Sequence, residues 1–310
     1  MRDTPMMNRR RFLQNLLGLG AILLPGHPAA SAARPKQILR AIASTGEALS
    51  AIGMGSWQTF DVGANRHALK TRIEILRTFF DNGGALIDSS PMYGSSEEVI
   101  GYCLKQLNNA ASLFSATKVW TWGKQSGINQ MELSRKLWGV TRLDLMQIHN
   151  LLDWESHLET LKAMKADGKI RYIGITTSHG RRHSELAMAL TDHQFDFVQF
   201  TYNIREREAE QRLLPLARER GTAVIINRPF DGGDLFASVR GKPLPKWAAE
   251  IDCHNWAQFF LKFIVSHPAV TCAIPATSRV DHMKENMGAG IGRLPDEKTR
   301  QRMIAYFRNL

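Results

Sequence analysis

The chain contains one stretch that determines its fold class: ALIDSSPMYGSSEEVIGYCLKQL, from Ala85 to Leu107. The stretch begins with a short apolar run that ends at Asp88, which is typical of a buried strand. Apolar residues in its second half recur at the spacing of one helix face, at Val99, Ile100, Cys103, Leu104 and Leu107. Ser95 and Glu98 have the spacing of a capping box at the start of that helix. The stretch therefore predicts one strand, one polar loop and one helix.

The same alternation of strand and helix recurs along the chain. Eight apolar or β-branched runs are predicted as strands, namely Ser50–Gly55, Ala85–Asp88, Leu113–Lys118, Leu143–His149, Tyr172–Thr176, Phe197–Gln199, Ala223–Asn227 and Thr271–Pro275. A hairpin of Gln37–Ile42 with Ala48–Ile52 is predicted before them. Eight strand–helix units predict an α/β fold, a (β/α)8 TIM barrel with an N-terminal β-hairpin. The alternative is an open doubly wound sheet, which usually needs a third glycine that Gly53-Met54-Gly55 does not provide.

Length and composition agree with one large barrel. The 310 residues are 44% hydrophobic and 22% charged, which excludes disordered and low-complexity classes. Three cysteines, Cys103, Cys253 and Cys272, are too few for a disulfide framework. No run of 18 or more apolar residues occurs, so the composition excludes an ordinary multi-span membrane protein.

Residues 1–32 carry the three parts of an export signal. The basic run Asn8–Arg11 is followed by the apolar stretch Leu16–Pro25 and then by the small residues Ala29–Ala32. The order Arg-Arg-x-Phe-Leu resembles the twin-arginine (Tat) signal of bacteria, which the Tat export machinery reads. We expect a cleaved Tat signal peptide, a barrel domain over residues 33–310, a periplasmic location and no stable membrane anchor after cleavage.

The net charge of +11 by itself suggests a nucleic-acid or membrane-surface partner. Residues 1–32 hold four arginines and one aspartate, so the remaining 278 residues carry about +8. Their basic residues are mixed with acidic ones, as in Arg205–Glu208, and no nucleic-acid-binding motif is present. We therefore expect no nucleic-acid partner.

Polar side chains stand where the predicted strands end, which in a (β/α)8 barrel is the rim of the active site. These strand ends are Gly55, Asp88, Lys118, His149, Thr176, Gln199 and Asn227. Carbonyl reduction needs a proton donor, and Tyr93 follows Asp88 by five residues. A lysine ammonium beside a phenol lowers the pKa of that phenol, an aspartate holds the lysine, and a histidine orients the carbonyl. We predict Asp88, Tyr93, Lys118 and His149 as a catalytic group.

Five blocks, in order along the chain, resemble the aldo-keto reductases. They are the signature segment Ile87–Gly101, the lysine strand Ala116–Val119, the histidine strand Met146–Asn150, the fifth-strand segment Gly168–Ile175 and the C-terminal cofactor segment Ile274–Asn286. The resemblance implies a barrel that binds NADP(H) in preference to NAD(H). It also implies reduction of a small-molecule aldehyde or ketone, or the reverse oxidation, with Tyr93 as the general acid/base.

The resemblance also implies the positions of the cofactor and the substrate. Cofactor contacts are implied for Gly55, Ser56, Trp57, Asp88, Thr176, Gln199, Asn227, Arg228, Pro229, Phe230, Thr277, Ser278, Arg279, His282, Glu285 and Asn286. Gly232 and Gly233 would let backbone amides approach the pyrophosphate. The substrate pocket is predicted at Trp57, Trp120, His149 and Asn150.

One alternative function keeps the same fold. An exported protein leaves the cytoplasmic NADPH pool, so a nicotinamide-binding sensor or interaction protein with little turnover is a second hypothesis. Slow cofactor release without turnover would favour it. His179 and His183 have metal-ligand spacing on a helix, but no third ligand is evident, so no metal site is predicted.

Overall fold

The computed structural model describes residues 36–107 and 112–310. The predicted export signal at residues 1–32 lies outside the described residues. The strands are β1 (Leu39–Ala41), β2 (Ala48–Ser50), β3 (Met54–Gly55), β4 (Leu86–Asp88), β5 (Phe114–Val119), β6 (Leu143–Ile148), β7 (Ile170–Thr176), β8 (Phe197–Thr201), β9 (Ala223–Asn227) and β10 (Cys272–Ala273). The α-helices are α1 (Arg66–Asp81), α2 (Ser96–Lys105), α3 (Lys124–Trp138), α4 (Trp154–Ala166), α5 (His183–Asp192), α6 (Leu213–Glu219), α7 (Asp234–Ser238), α8 (Trp256–Val265), α9 (Val280–Gly288) and α10 (Glu297–Arg308).

Strands β3 to β10 form one parallel sheet in chain order. Two isolated parallel bridges, Ile52 with Ala273 and Gly55 with Ala276, join its first and last strands. The sheet therefore closes into a (β/α)8 barrel, and the predicted fold is confirmed. The first barrel strand is shorter than the predicted Ser50–Gly55: Ser50 pairs with Leu39 in the antiparallel hairpin, and Ile52 makes only an isolated bridge to Ala273.

Alternate residues of the barrel strands point inward and fill the interior, as the two-residue period of a strand requires. This inner cluster comprises Leu86, Phe114, Ala116, Leu145, Tyr172, Phe197, Ala223, Ile225, Cys272 and Ile274. The hairpin adds Ile42 and Leu49 to it, and Glu47 accepts a hydrogen bond from Tyr172 near the start of β7. The hairpin thus covers the N-terminal end of the barrel and leaves the carboxyl ends of the strands free.

The capping box predicted at the start of α2 does not form. Ser95 precedes α2, but its side chain makes no capping hydrogen bond. Its hydroxyl donates instead to Oδ1 of Asp61 at 2.8 Å and accepts from the amide of Gly63 at 2.9 Å. The loop between β4 and α2 is therefore tied to the loop that follows β3.

In the described part of the chain, no helix is long and apolar enough to cross a membrane.

Candidate active site

A buried ion pair joins the ends of β4 and β5. Nζ of Lys118 donates to Oδ2 of Asp88 at 2.5 Å and to the carbonyl oxygen of Ser89 at 2.7 Å. Lys118 is fully buried and Asp88 is 2% exposed. Burial lowers the pKa of Lys118, but the nearby Asp88 and Tyr93 outweigh it and leave the pKa above its ordinary value. The ammonium therefore stays charged although no solvent reaches it.

Two glutamines complete the surroundings of Asp88. Its Oδ1 accepts from Nε2 of Gln147 at 2.8 Å and from Nε2 of Gln199 at 3.0 Å. Gln199 was predicted as a site residue, whereas Gln147 was not. The signal for Gln147 was the strand period, since it lies two residues before His149 and pairs in register with Lys118. Asp88 is thus held in place by side chains from three other strands, β5, β6 and β8.

Tyr93 lies in the loop after β4, with Nζ of Lys118 5.2 Å from the centre of its ring. Burial of the hydroxyl raises the pKa of Tyr93 above its ordinary value, and the charge of Lys118 opposes that increase without cancelling it. The sequence-based expectation of a lowered pKa is therefore not met in the free site. Tyr93 is a neutral phenol at physiological pH, and the charge of Lys118 favours its phenolate form.

His149 follows β6 and is 5% exposed. Its ring meets the ring of Tyr93 edge-on, with centroids 5.8 Å apart. Its Nδ1 lies 2.9 Å from Oγ of Ser90. Burial, together with the charge of Lys118, places the pKa of His149 well below its ordinary value. The imidazole is therefore neutral at physiological pH.

A cavity of about 630 Å³ opens at the carboxyl ends of the strands, within the range of about 300–1,000 Å³ that is usual for ligand sites. Its wall includes the predicted residues Gly55, Ser56, Trp57, Asp88, Tyr93, His149, Asn150, Thr176, Gln199, Asn227, Arg228, Pro229 and Phe230. It also includes residues that were not predicted as contacts, among them Met92, Thr177, His179, Arg181 and Arg182. Four of these lie in the loop between β7 and α5, and Met92 lies in the loop after β4, so the signal that could have found them is a loop at the carboxyl end of a strand.

Several predicted residues lie away from the cavity wall. Trp120 is 40% exposed, and its ring centre lies 6.5 Å from that of His149. Lys118 lies beneath the wall, against Asp88 and Tyr93. The predicted adenosine-binding residues are also absent from the wall: Thr277, Ser278, Arg279, His282, Glu285 and Asn286. The structure therefore brings the catalytic group and the nicotinamide-side residues together, while the adenosine-side residues form a separate region.

The adenosine-side region begins with a short turn. The amide of Arg279 donates to Oγ1 of Thr277 at 3.1 Å. The guanidinium of Arg279 is paired with Asp281, with Nε 3.0 Å from Oδ1. Asn286 is buried, and Arg279 and His282 are exposed. Arg279 is exposed and could bind a phosphate, but its charge is already paired with the carboxylate of Asp281.

The wall has features that fit a nicotinamide cofactor. Oγ1 of Thr177 is buried, lines the cavity and has no hydrogen-bond partner among the described residues. A buried hydroxyl in that position is suited to a bound amide or other polar group. Gly232 and Gly233 line the same cavity in left-handed conformations, with φ of +67° and +110°. Their bare backbone leaves room for a close approach by a phosphate.

The side chain of Asn227 connects two neighbouring segments of the cavity wall by hydrogen bonds. It donates to the carbonyl oxygen of Thr177 at 2.8 Å and accepts from Oγ1 of Thr201 at 2.7 Å. Oγ1 of Thr176 accepts from the amide of Asn150 at 3.1 Å.

Within residues 36–107 and 112–310, no group of three or more histidine, cysteine or acidic side chains could hold a metal ion.

A parallel eight-stranded barrel with a buried lysine–aspartate pair, a tyrosine and a neutral histidine at its rim defines a class of carbonyl-converting barrel enzymes. The family model of the aldo/keto reductase family matches residues 51–303, and the chain belongs to that family. The protein is accordingly an NAD(P)-dependent oxidoreductase.

Individual relatives agree with this assignment. The chain is 28% identical to methylglyoxal reductase YeaE of Escherichia coli over 243 residues, covering 77% of this chain and 84% of that protein. It is 24% identical over 240 residues to the NADH-specific methylglyoxal reductase of E. coli, covering 66% of this chain and 71% of that protein. An aldo-keto reductase of Klebsiella pneumoniae, crystallised with NADPH, has the same fold with a TM-score of 0.72 and 22% identity, covering 88% of this chain and 95% of that one.

Proposed function

We propose that the protein reduces the carbonyl group of a small aldehyde or ketone, with Tyr93 as the general acid. The observation that carries this proposal is the position of the Lys118 ammonium, which Asp88 holds within 5.2 Å of the centre of the Tyr93 ring. The reduced nicotinamide supplies the hydride that reaches the carbonyl carbon. The hydroxyl proton of Tyr93 moves to the carbonyl oxygen, and the product is an alcohol. In the reverse oxidation the Tyr93 phenolate takes the proton back.

The charges of the site suit this proton transfer. The phenol of Tyr93 holds its proton until the oxygen of the substrate becomes basic during hydride transfer. The phenolate then formed lies beside a permanent, fully buried ammonium, and burial strengthens the attraction between the two charges. The neutral imidazole of His149 donates a hydrogen bond to the same oxygen and orients it. In this proposal Trp57 and Asn150, which line the cavity, contact the substrate, and Trp120 lies outside the wall with its ring 6.5 Å from that of His149.

We propose NADP(H) as the cofactor, in preference to NAD(H). The side chains of Thr176, Thr177 and Gln199 would hold the nicotinamide end, and the loop of Gly232 and Gly233 the pyrophosphate. The adenosine end would lie along Thr277, Ser278, Arg279, His282, Glu285 and Asn286. The structurally similar Klebsiella pneumoniae reductase was crystallised with NADPH, whereas one E. coli relative is NADH-specific. Direct comparison of NADPH and NADH dissociation constants tests this preference.

The substrate class to be tested first is a small reactive aldehyde. One relative is named a methylglyoxal reductase and a second an NADH-specific methylglyoxal reductase. Replacement of Tyr93 by Phe is expected to abolish turnover of methylglyoxal and to leave NADPH binding, measured by fluorescence, close to that of the original protein. Tyr102→Phe, at a tyrosine that is 45% exposed on α2, is the matched control. Full activity of Tyr93→Phe would contradict the mechanism.

We further propose that residues 1–32 direct the folded protein through the Tat machinery to the periplasm, with its cofactor already bound. Mass spectrometry of the protein from the cell envelope, under conditions that retain ligands, would report both the mature N-terminus and a carried dinucleotide. Lysine substitutions at Arg9 and Arg10 should keep the protein in the cytoplasm. Unchanged export of that variant would contradict the proposed route.

A further inference from the structure

Ser90 lies directly beneath the catalytic histidine. The residue is fully buried, two positions after the end of β4. Its Oγ lies 2.9 Å from Nδ1 of His149 and also accepts from the backbone amide of Met92 at 3.3 Å. The mechanism proposed above does not use this serine. Ser90 can nevertheless influence the site, because its hydroxyl is the hydrogen-bond partner of Nδ1 of His149, and the His149 ring lines the cavity.

Counting hydrogens fixes the direction of the Ser90–His149 bond. A serine hydroxyl has one hydrogen and two lone pairs. The amide of Met92 occupies one lone pair of Oγ. If Nδ1 of His149 carried the hydrogen, Oγ would accept twice, and its own hydrogen would have no acceptor among the described residues. If the hydroxyl donates to Nδ1, the hydroxyl, Nδ1 and the amide of Met92 all have partners, as buried polar groups require.

The other nitrogen of His149 then carries the ring hydrogen. Burial and the charge of Lys118 keep the pKa of His149 low, so the ring holds one hydrogen and not two. With Nδ1 as the acceptor, that hydrogen lies on Nε2. Among the described residues, the hydrogen bond of the His149 ring is the one made by Nδ1, and His149 lines the cavity. A donor is therefore available to a ligand.

We propose that Ser90 is a positioning residue that holds His149 in the Nε2–H tautomer, so that the imidazole donates to the carbonyl oxygen of the substrate. The second half of this statement rests on the proposed function. The first half concerns the tautomer alone and is measurable without substrate.

The direct test is nitrogen NMR of the protein with 15N-labelled histidine. The chain has ten histidines, and the signals of His149 are those missing from a His149→Gln variant. The expected result at neutral pH is a pyrrole-type Nε2 and a pyridine-type Nδ1. In Ser90→Ala we expect a mixture of tautomers. A protonated Nδ1 in the unmodified protein, or an unchanged tautomer in Ser90→Ala, would overturn the assignment of Ser90.

Kinetics test the second half. Ser90→Ala should lower kcat for a reactive aldehyde by roughly three- to tenfold, the value of one hydrogen bond, with little change in KM. Ser90→Cys, which keeps a weak donor of similar size, should give an intermediate kcat and an intermediate tautomer ratio. Loss of the Nε2–H tautomer with unchanged kcat would overturn the catalytic role.

Two controls separate this proposal from others. Ser115→Ala removes a hydroxyl that is 1% exposed and bonded to Asp144 on β6, so it should alter stability without altering the tautomer of His149. The proposed function itself fails if Tyr93→Phe retains full turnover, and that result leaves the tautomer measurement unaffected. Thermal unfolding of each variant confirms that it is folded.

Discussion

Nζ of Lys118 lies 2.5 Å from Oδ2 of Asp88, and neither side chain has appreciable contact with solvent. Such a pair is costly to break from one side, because the remaining charge stays buried without a partner. The pair therefore links stability to the proposed catalysis, because the same ammonium that neutralises Asp88 also lies 5.2 Å from the centre of the Tyr93 ring.

Replacement of Lys118 by Met should lower the free energy of unfolding by about 3–5 kcal/mol, because it leaves the buried Asp88 without its ion-pair partner. Turnover should be lost as well. The double variant Lys118→Met/Asp88→Asn should regain much of the stability but none of the activity. Urea unfolding and an aldehyde reduction assay measure the two effects. If Lys118→Met alone is as stable as the original protein, then burying Asp88 without its ion-pair partner does not have the predicted cost.

Stability should fall as the pH is lowered from 7.5 to 5. The folded pKa of His149 lies well below its unfolded value of about 6.5, because of burial and Lys118. Below pH 6.5 the unfolded chain therefore binds a proton that the folded chain does not, so the free energy of unfolding decreases as the pH falls. His267, whose pKa is lowered chiefly by burial, acts in the same direction.

Each such histidine contributes a slope of at most about 1.4 kcal/mol per pH unit. Urea unfolding at a series of pH values should give a smaller slope for His149→Gln than for the original protein. His67→Gln, at an exposed residue of α1, is the control. Equal slopes for the His149 variant and the original protein would contradict the prediction.

The pairing of Arg279 with Asp281 should weaken the preference for NADPH. If Arg279 lies at the adenosine phosphate, removing the charge of Asp281 frees the guanidinium for the extra phosphate that NADH lacks. Asp281→Asn should therefore tighten NADPH binding by roughly two- to fivefold, the value of an exposed ion pair. The effect should shrink at high salt.

Fluorescence titrations with NADPH and NADH provide the measurement for Asp281→Asn. Glu250→Gln is the control, since it removes a surface carboxylate that pairs with Arg302 at 3.4 Å. An equal gain for both dinucleotides would place Arg279 away from the phosphate.

Gly94 should be needed for the position of Tyr93. It has a φ of +58°, and a Cβ there would lie 2.4 Å from the carboxylate of Asp61, which holds Ser95. Gly94→Ala should therefore displace Asp61, lower stability by about 1–3 kcal/mol and reduce kcat. Gly63→Ala has a similar positive φ of +50° but open space around it, so it should cost stability without the loss of kcat. Equal kcat in the two variants would contradict the role of Asp61.

The barrel was predictable from sequence because its strands are short apolar runs that recur between helical patterns. The details that depend on pairing between distant segments were not. Ser50–Ile52 fits both the predicted hairpin and the predicted first barrel strand, and only pairing divides it: Ser50 pairs antiparallel with Leu39 of β1, whereas Ile52 bridges Ala273 in the barrel. Ser95 has the spacing of a capping residue, yet its hydroxyl donates to Asp61, 34 positions away, and makes no capping bond to α2.

The candidate site shows the same division. Asp88, Lys118 and His149 were predicted because each ends a strand. Gln147 lies inside a strand run and Ser90 in a loop, so neither has a local signal as clear as a strand end. Their importance comes from partners across the barrel: Gln147 bonds to Asp88 and Ser90 to His149, each 59 residues apart in the chain.

The sequence by itself determined which ionisable side chains follow which strand, and hence which would meet at the rim, because parallel strands share one direction and a period of two. Only the tertiary structure decided how those groups are charged and hydrogen-bonded. Burial raises the pKa of Tyr93, and burial together with Lys118 keeps His149 neutral. Ionisation depends on desolvation and on neighbours from other strands, and neither exists until the barrel has closed.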